Sequence, residues 1–430
     1  MMKMTKIYLS QIILFCLFSL PTIAQEAVED VVSIGAGYAN QVFYSLENGV
    51  LKTEPKTNWD IALEQNGRYG TIRINSVNGV ELFLVQDATK ADWETLNINA
   101  GSIDFWDDIH NSETSWVHGA FNVQHTSDPF DLGWGLYNFT THNVIGDSIY
   151  VVKLGDDSYR KVLIEDLSNE VWNLKFAHLD GSNETNLVIN QSDYPYRNFI
   201  YYSFLNEEVL DREPNRGSWD LSFTQYEAYV TQDTAQKYYP VSGVLSNLNT
   251  RVAEVHDVDV NTEDYSNEEF ITGMSEIGYD WKEYDFGEGA YVVEENLVYF
   301  VETQKGDIYK IIFTGFGGTS NGNFEFTKTL LNSTSIYNAT NDRIGKFDCY
   351  PNPTNHAEAL QVIYSIEEAN IKEAHLEVHD LSGKVLFHKK MKSEKGLYQT
   401  NLKNLNLQSG MYLIHLKLDQ HKTYKKVIIQ

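Results

Sequence analysis

The 430-residue chain is predicted to be all-β, and three observations carry that expectation. Tyr and Phe are abundant (27 and 21) while Pro is scarce (8), a composition that suits pleated strands. Strand-like alternation recurs, as in Thr71-Ile72-Arg73-Ile74 and in the run from Ser148 to Leu154. Turn signals separate the runs: Glu47-Asn48-Gly49, Asn78-Gly79, Gly155-Asp156-Asp157 and Lys305-Gly306-Asp307. Helical patterns are few. Ala88 to Leu96 and Asn267 to Gly273 are each expected to form one or two turns.

The chain then says one thing twice. Phe43-Tyr44-Ser45, Glu54-Pro55 and Trp59-Asp60-Ile61 return as Tyr201-Tyr202-Ser203, Glu213-Pro214 and Trp219-Asp220-Leu221. The tails match as well: Tyr150-Val151-Val152 leads to Tyr159-Arg160-Lys161, and Tyr299-Phe300-Val301 leads to Tyr309-Lys310-Ile311. So long a period is a domain-scale duplication and not a solenoid. Two tandem β-rich units are expected, at 30–190 and 197–331. A strand points neighbouring side chains to opposite faces, so each Trp-Asp pair suits an indole in the core and a carboxylate capping a turn or meeting water.

Residues 1–24 read as a signal peptide. Lys3 and Lys6 precede a short apolar stretch, Ile12 to Leu20, and Thr22-Ile23-Ala24 offers small residues for cleavage. Cys349 is then the one cysteine left, too few for an internal disulfide or a cysteine-rich zinc site. Residues 332–346 are Asn/Ser/Thr-rich and read as a linker. Beyond it, at 347–430, come Tyr350-Pro351-Asn352-Pro353-Thr354, then Leu376 to Val385 as strand, turn and strand, and finally Gly410-Met411-Tyr412-Leu413-Ile414 and Lys425 to Ile429.

These three ordered segments resemble the type A C-terminal sorting domain of the Bacteroidetes type IX secretion system. The resemblance implies an immunoglobulin-like β-sandwich read by the outer-membrane secretion machinery, with the body released or attached to the cell surface. The formal charge is −27, and residues 341–430 carry 13 basic and 10 acidic residues, which leaves −30 on the rest. So acidic a body is repelled by nucleic acid and by anionic lipid.

The Phe43–Gln65 and Tyr201–Gln225 segments, with Gly243 to Asn247 and Gly306 to Phe313, resemble the HmuY-like haem-binding family. That resemblance implies an all-β fold and capture of haem at the cell surface. Haem needs axial ligands, usually imidazole or thioether, over an apolar cleft. The first unit offers His110, His118, His125 and His142 among aromatic residues. His142 is the first choice, with His110 and His125 as candidate partners. Histidines beside aromatic residues also describe an ordinary β core with surface imidazoles, so a surface interaction or glycan-binding protein is the alternative. The second unit has His256, with Met274 further on.

Asp257-Val258-Asp259-Val260-Asn261 alternates oxygen ligands but lacks the glycine and terminal Glu of a calcium loop. A solvated strand face explains it equally. Nucleophile elbow, zincin and phosphate-loop motifs are absent, so no enzyme is expected. Asp147-Ser148-Ile149 and Asp233-Thr234-Ala235 resemble Bacteroidetes O-glycosylation sites.

Overall fold

A computed structural model describes residues 27–429, apart from 66–69, 129, 139, 233–234, 333–343, 351–353, 355–359, 367–370, 381–383, 404, 406 and 420. The signal peptide and most of the linker lie outside the described residues. The chain is nearly all β and its sheets are antiparallel throughout.

The duplicated body forms two lobes, each a small four-stranded sheet packed on a larger sheet. In the first lobe the larger sheet runs through Thr185–Asn190, Val171–Ala177, Tyr159–Ser168, Ser148–Lys153 and Glu81–Thr89. In the second it runs through Val28–Ser33, Asn323–Asn332, Ile308–Phe316, Val298–Glu302 and Arg251–Val255. Ile149, Tyr150, Val151 and Val152 are all fully buried, as are Val298, Tyr299, Phe300 and Val301. Strands this apolar must be covered on both faces. Tyr150 and Val152 face the small sheet, while Ile149 and Val151 lie under Trp93, Ile98 and Ile103. In the second lobe Val298 and Phe300 lie under Val258, Val260, Tyr265 and Phe270. One buried lysine ties down each cover. Lys161 Nζ donates to the carbonyls of Trp93 and Leu96, and Lys310 Nζ to those of Val260 and Thr262.

The small sheets depart from the expected tandem arrangement. The first copy's opening hairpin, Asn40–Ser45 with Gly49–Pro55, pairs with Leu221–Gln232 of the second copy. The second copy's opening hairpin, Phe199–Ser203 with Glu208–Leu210, pairs with Ile61–Glu64 of the first. The cores follow the sheets. Val42, Tyr44 and Leu46 pack with Leu221, Phe223 and Tyr299, whereas Ile200, Tyr202 and Phe204 pack with Ile61, Leu63 and Tyr150. Each lobe thus draws strands from both halves of the body. The opening hairpins are exchanged.

The exchange explains the Trp-Asp recurrence. Asp60 N–H donates to the Tyr202 carbonyl, and its carboxylate accepts from Phe204 N–H at 2.6 Å. Asp220 N–H donates to the Tyr44 carbonyl, and its carboxylate accepts from Leu46 N–H at 2.8 Å. The indoles follow the same rule: Trp59 packs edge-on against Tyr201, and Trp219 against Phe43. Behind each pair an asparagine pins the incoming turn. Asn75 donates to the Lys56 and Trp59 carbonyls, and Asn247 to those of Arg216 and Trp219.

Helix is scarcer than expected, and shifted. Lys90–Asp92 forms a single 3₁₀ turn capped by Thr89, and the short helix nearby is Ala100–Ile103. Residues 267–273 hold no helix, because Phe270 and Val258 are drawn onto the sheet as its cover.

Residues 344–429 form a separate sandwich. Ile344–Tyr350, Leu360–Ile366 and Gly396–Leu402 make one sheet. Val385–Lys390, Ala374–His379, Gly410–Leu418 and His421–Ile429 make the other. This three-plus-four arrangement is of the immunoglobulin type. Cys349 lies buried in its core, on the strand Ile344–Tyr350.

Candidate functional site

The structure puts the three candidate histidines in three different settings, and no hydrogen bond or ring contact among the described residues joins any two of them. His110 follows the short strand Asp108–Ile109 at the seam between the lobes. Its Nδ1 meets Glu227 Oε2 at 2.8 Å and its Nε2 meets Asp108 Oδ2 at 3.1 Å. The ring stacks on Tyr238, 3.5 Å between centroids. Burial alone would lower its pKa, but Glu227 and then Asp108 outweigh it and raise it. Both ring nitrogens are held by carboxylates, which leaves neither free for a metal, so His110 does not fit the role of axial ligand.

His125 sits beside Tyr150, whose hydroxyl is 3.1 Å from Nε2. Burial lowers its pKa, against the opposing charges of Asp131 and Asp147, and favours the neutral ring. It lines an open cleft with Leu136, Asp131 and Asp147. Asp131 is spent on local structure, accepting from the N–H groups of His125, Thr126 and Gly133.

His142 stands at the tip of the hairpin made by Gly135–Asn138 and Asn143–Gly146. Its φ of 59° is the left-handed conformation that turns the chain there. Nδ1 lies 2.7 Å from the Tyr137 hydroxyl, and Nε2 has no hydrogen-bond partner among the described residues. Tyr137 in turn stacks on Phe130, giving an aromatic run that ends at the imidazole. A ring nitrogen fixed by a neighbour, with the other directed outward, is how ligating histidines are oriented. His142 therefore fits an axial ligand.

His256 of the second lobe has no such freedom. Its Nδ1 meets Glu294 at 2.7 Å and its Nε2 faces Glu254 at 3.5 Å. Met274 is buried at the seam with Tyr226 and Leu245. Asp259 accepts from the N–H and the amide of Asn261, and Val258 and Val260 turn inward, so the Asp257–Asn261 run is lobe cover. Among the described residues no three His, Cys, Asp or Glu side chains gather as a metal site. Ser148 of the first O-glycosylation pattern bonds Asp147, and Thr234 of the second lies outside the described residues.

The seam itself has no local signature in the sequence. The loop 111–118 of the first lobe reaches across to the second: Trp116 Nε1 donates to the Ser246 carbonyl at 2.7 Å, and the Thr114 carbonyl accepts from Met274 N–H. Arg73 holds this loop. Its fully buried guanidinium donates to the carbonyls of Ser112 and Ser115, each at 2.7 Å, and lies over the Trp116 ring. Burial lowers the Arg73 pKa to about 10, which leaves it charged at neutral pH.

Residues 348–430 match the secretion system C-terminal sorting domain, and residues 37–177 match the HmuY protein family. Residues 37–177 are thus similar to the HmuY family, and residues 348–430 carry a sorting domain. Type IX secretion takes it across the outer membrane, to the cell surface or the space beyond. The HmuY match begins before the exchanged hairpin 40–55 and ends in the first lobe, so it straddles both lobes. It includes all three candidate histidines. No curated protein matches the chain. Among solved structures, a biofilm associated protein BSP domain aligns at 11% identity over 92% of this chain and 82% of that one, TM-score 0.17. A ligand-free PulA-G680L mutant from Klebsiella pneumoniae aligns at 13% identity over 94% and 34%, TM-score 0.14.

Proposed function

We propose that this exported HmuY-like protein captures haem outside the cell, with His142 as an axial ligand. One observation carries the reading: the His142 ring is held through Nδ1 by Tyr137, its Nε2 is left without a partner, and Phe130 and Tyr137 extend an aromatic surface beside it. A neutral imidazole donating through one nitrogen supplies the iron-binding lone pair from the other, and flat aromatic side chains suit a porphyrin face. Haem when bound supplies the iron that the imidazole ligates. The chain's part is to orient that ring and shield one porphyrin face. His125, neutral and beside the cleft of Leu136, is the second histidine to test.

Haemin titration of the mature protein tests the reading. A saturable Soret shift at about one haem per chain is expected, lost in His142→Ala and unchanged in His110→Ala. A featureless, non-saturating response, or a full shift in His142→Ala, sinks it.

A second reading, glycan or surface binding, is supported by Tyr229, Tyr238 and Tyr239, which are 40–47% exposed on the long hairpin Leu221–Gln232 and Ala235–Ser246. Retention on a glycan array that disappears in a Tyr229→Ala, Tyr239→Ala double variant would favour it.

A further inference from the structure

Where the exchanged hairpins cross, the two lobes line a partly open cavity of about 80 Å³. It is far below the roughly 300–1,000 Å³ of a drug-sized site and is not a haem pocket. Its walls are aromatic, with Trp59 and Trp116 from the first lobe and Tyr226 from the second. Arg73 is spent on the carbonyls of Ser112 and Ser115, but two other donors reach the cavity without an anion to satisfy them. The Lys56 ammonium rests on the Gln225 amide oxygen, a neutral partner, and no carboxylate lies within ion-pair distance among the described residues. The Gln225 side-chain nitrogen has no acceptor among the described residues. Most other polar groups of the lining are spent. Gln41 bonds Ser222 and Arg212, Asn111 bonds the backbone of Ile74 and Ala120, and Glu227 bonds His110. Glu113 keeps one carboxylate oxygen, since the other accepts from Tyr229 N–H.

We infer that this cavity binds a small zwitterion of the α-amino acid class, its carboxylate on Lys56 and Gln225 and its ammonium on Glu113. A half-buried ammonium supported by an amide alone has lost hydration that a neutral partner does not restore. A carboxylate from outside would restore it through charge-assisted hydrogen bonds. A plain anion would meet Glu113 at the same site, and a plain cation would meet Lys56. A molecule with both poles satisfies both groups, and the small volume limits it to a short side chain. This site is independent of the haem reading, for it shares no residue with His142 and its surroundings.

Calorimetric titration of the mature full-length protein with glycine, alanine and serine tests the inference, with propionate and ethylamine as single-pole probes. Saturable binding of at least one amino acid is expected, with each single-pole probe at least tenfold weaker. Lys56→Met is expected to weaken binding tenfold or more. Gln225→Glu serves as the second variant. It gives Lys56 an internal counter-ion, keeps the fold, and is expected to abolish binding. Thermal unfolding of both variants checks that they remain native. No saturable heat with any of the three amino acids, equal affinity for propionate, or undiminished binding in a native Gln225→Glu protein would each overturn the inference.

Discussion

The two copies are alike where they join and unlike where they are free. At the junctions the correspondence holds residue by residue: Asp60 and Asp220, Trp59 and Trp219, Asn75 and Asn247, Lys161 and Lys310 each do one job twice. Beyond the junctions they part. The first lobe carries His110, His125 and His142 between its cover and the strand Ser148–Lys153, whereas the second has no histidine between its cover and the strand Val298–Glu302. Its His256 is held between two glutamates. What duplicates is architecture. The chemistry lies in what does not.

The largest test of this comparison cuts the chain two ways. A fragment of residues 27–196 follows the sequence repeat, and a fragment of 56–213 follows the first lobe. The first keeps the 40–55 hairpin without its core and strips Ile61–Glu64 of its Phe199–Ser203 neighbour. The second retains Ile61, Leu63, Tyr150, Ile200 and Tyr202 together. A cooperative melt is expected for 56–213 and none for 27–196, as followed by circular dichroism. The reverse outcome would mean that the exchange is not what stabilises the lobes.

How much of this was readable beforehand depends on how far apart the partners lie. Strand alternation is local, so Ser148 to Leu154 announced a strand at once, though not that both of its faces are covered. The recurrence of Trp-Asp was also plain, down to a capping carboxylate. Its partner was not: Tyr44 and Asp220 are joined across most of the body, and no local pattern says that Asp60 caps Phe204 and not Leu46. The motifs are so alike that the two pairings are indistinguishable in sequence. The setting of His110 was hidden for a similar reason. Its clamp, Glu227 and Tyr238, comes from the other copy. His142 stayed a candidate because its holder, Tyr137, is five residues back on the same hairpin.

A smaller effect separates the two indoles. Trp219 is 1% exposed, whereas Trp59 is half-buried at the cavity wall with Arg212 over its ring. Removing a fully buried Trp costs about 3–5 kcal/mol, and the cost falls with the area left in solvent. Trp219→Ala is therefore expected to lower stability by that amount, and Trp59→Ala by about half of it. Chemical denaturation of the two variants measures both. Equal losses would show that the copies are energetically as well as geometrically equivalent.

The smallest expected difference is in pH dependence, and it divides the two aspartates. Desolvation raises both pKa values. The Asp220 carboxyl is pushed up to about 6, with Leu46 N–H and Ser45 opposing. Asp60 has more help in staying charged, from the N–H groups of Phe204 and Leu205 and the hydroxyl of Ser203. A carboxyl with a raised folded pKa holds its proton to higher pH in the native state than in the unfolded one. Stability from Asp220 is thus greatest below its unfolded value of 3.8 and is lost as pH rises to about 6. Over that window the loss is on the order of 3 kcal/mol. Asp220→Asn is expected to remove the slope between pH 4 and 6, and Asp60→Asn to change it less. Parallel unfolding curves for wild type and Asp220→Asn across that range would mean that the carboxylate is solvated in the native state, and that the second junction is looser than the first.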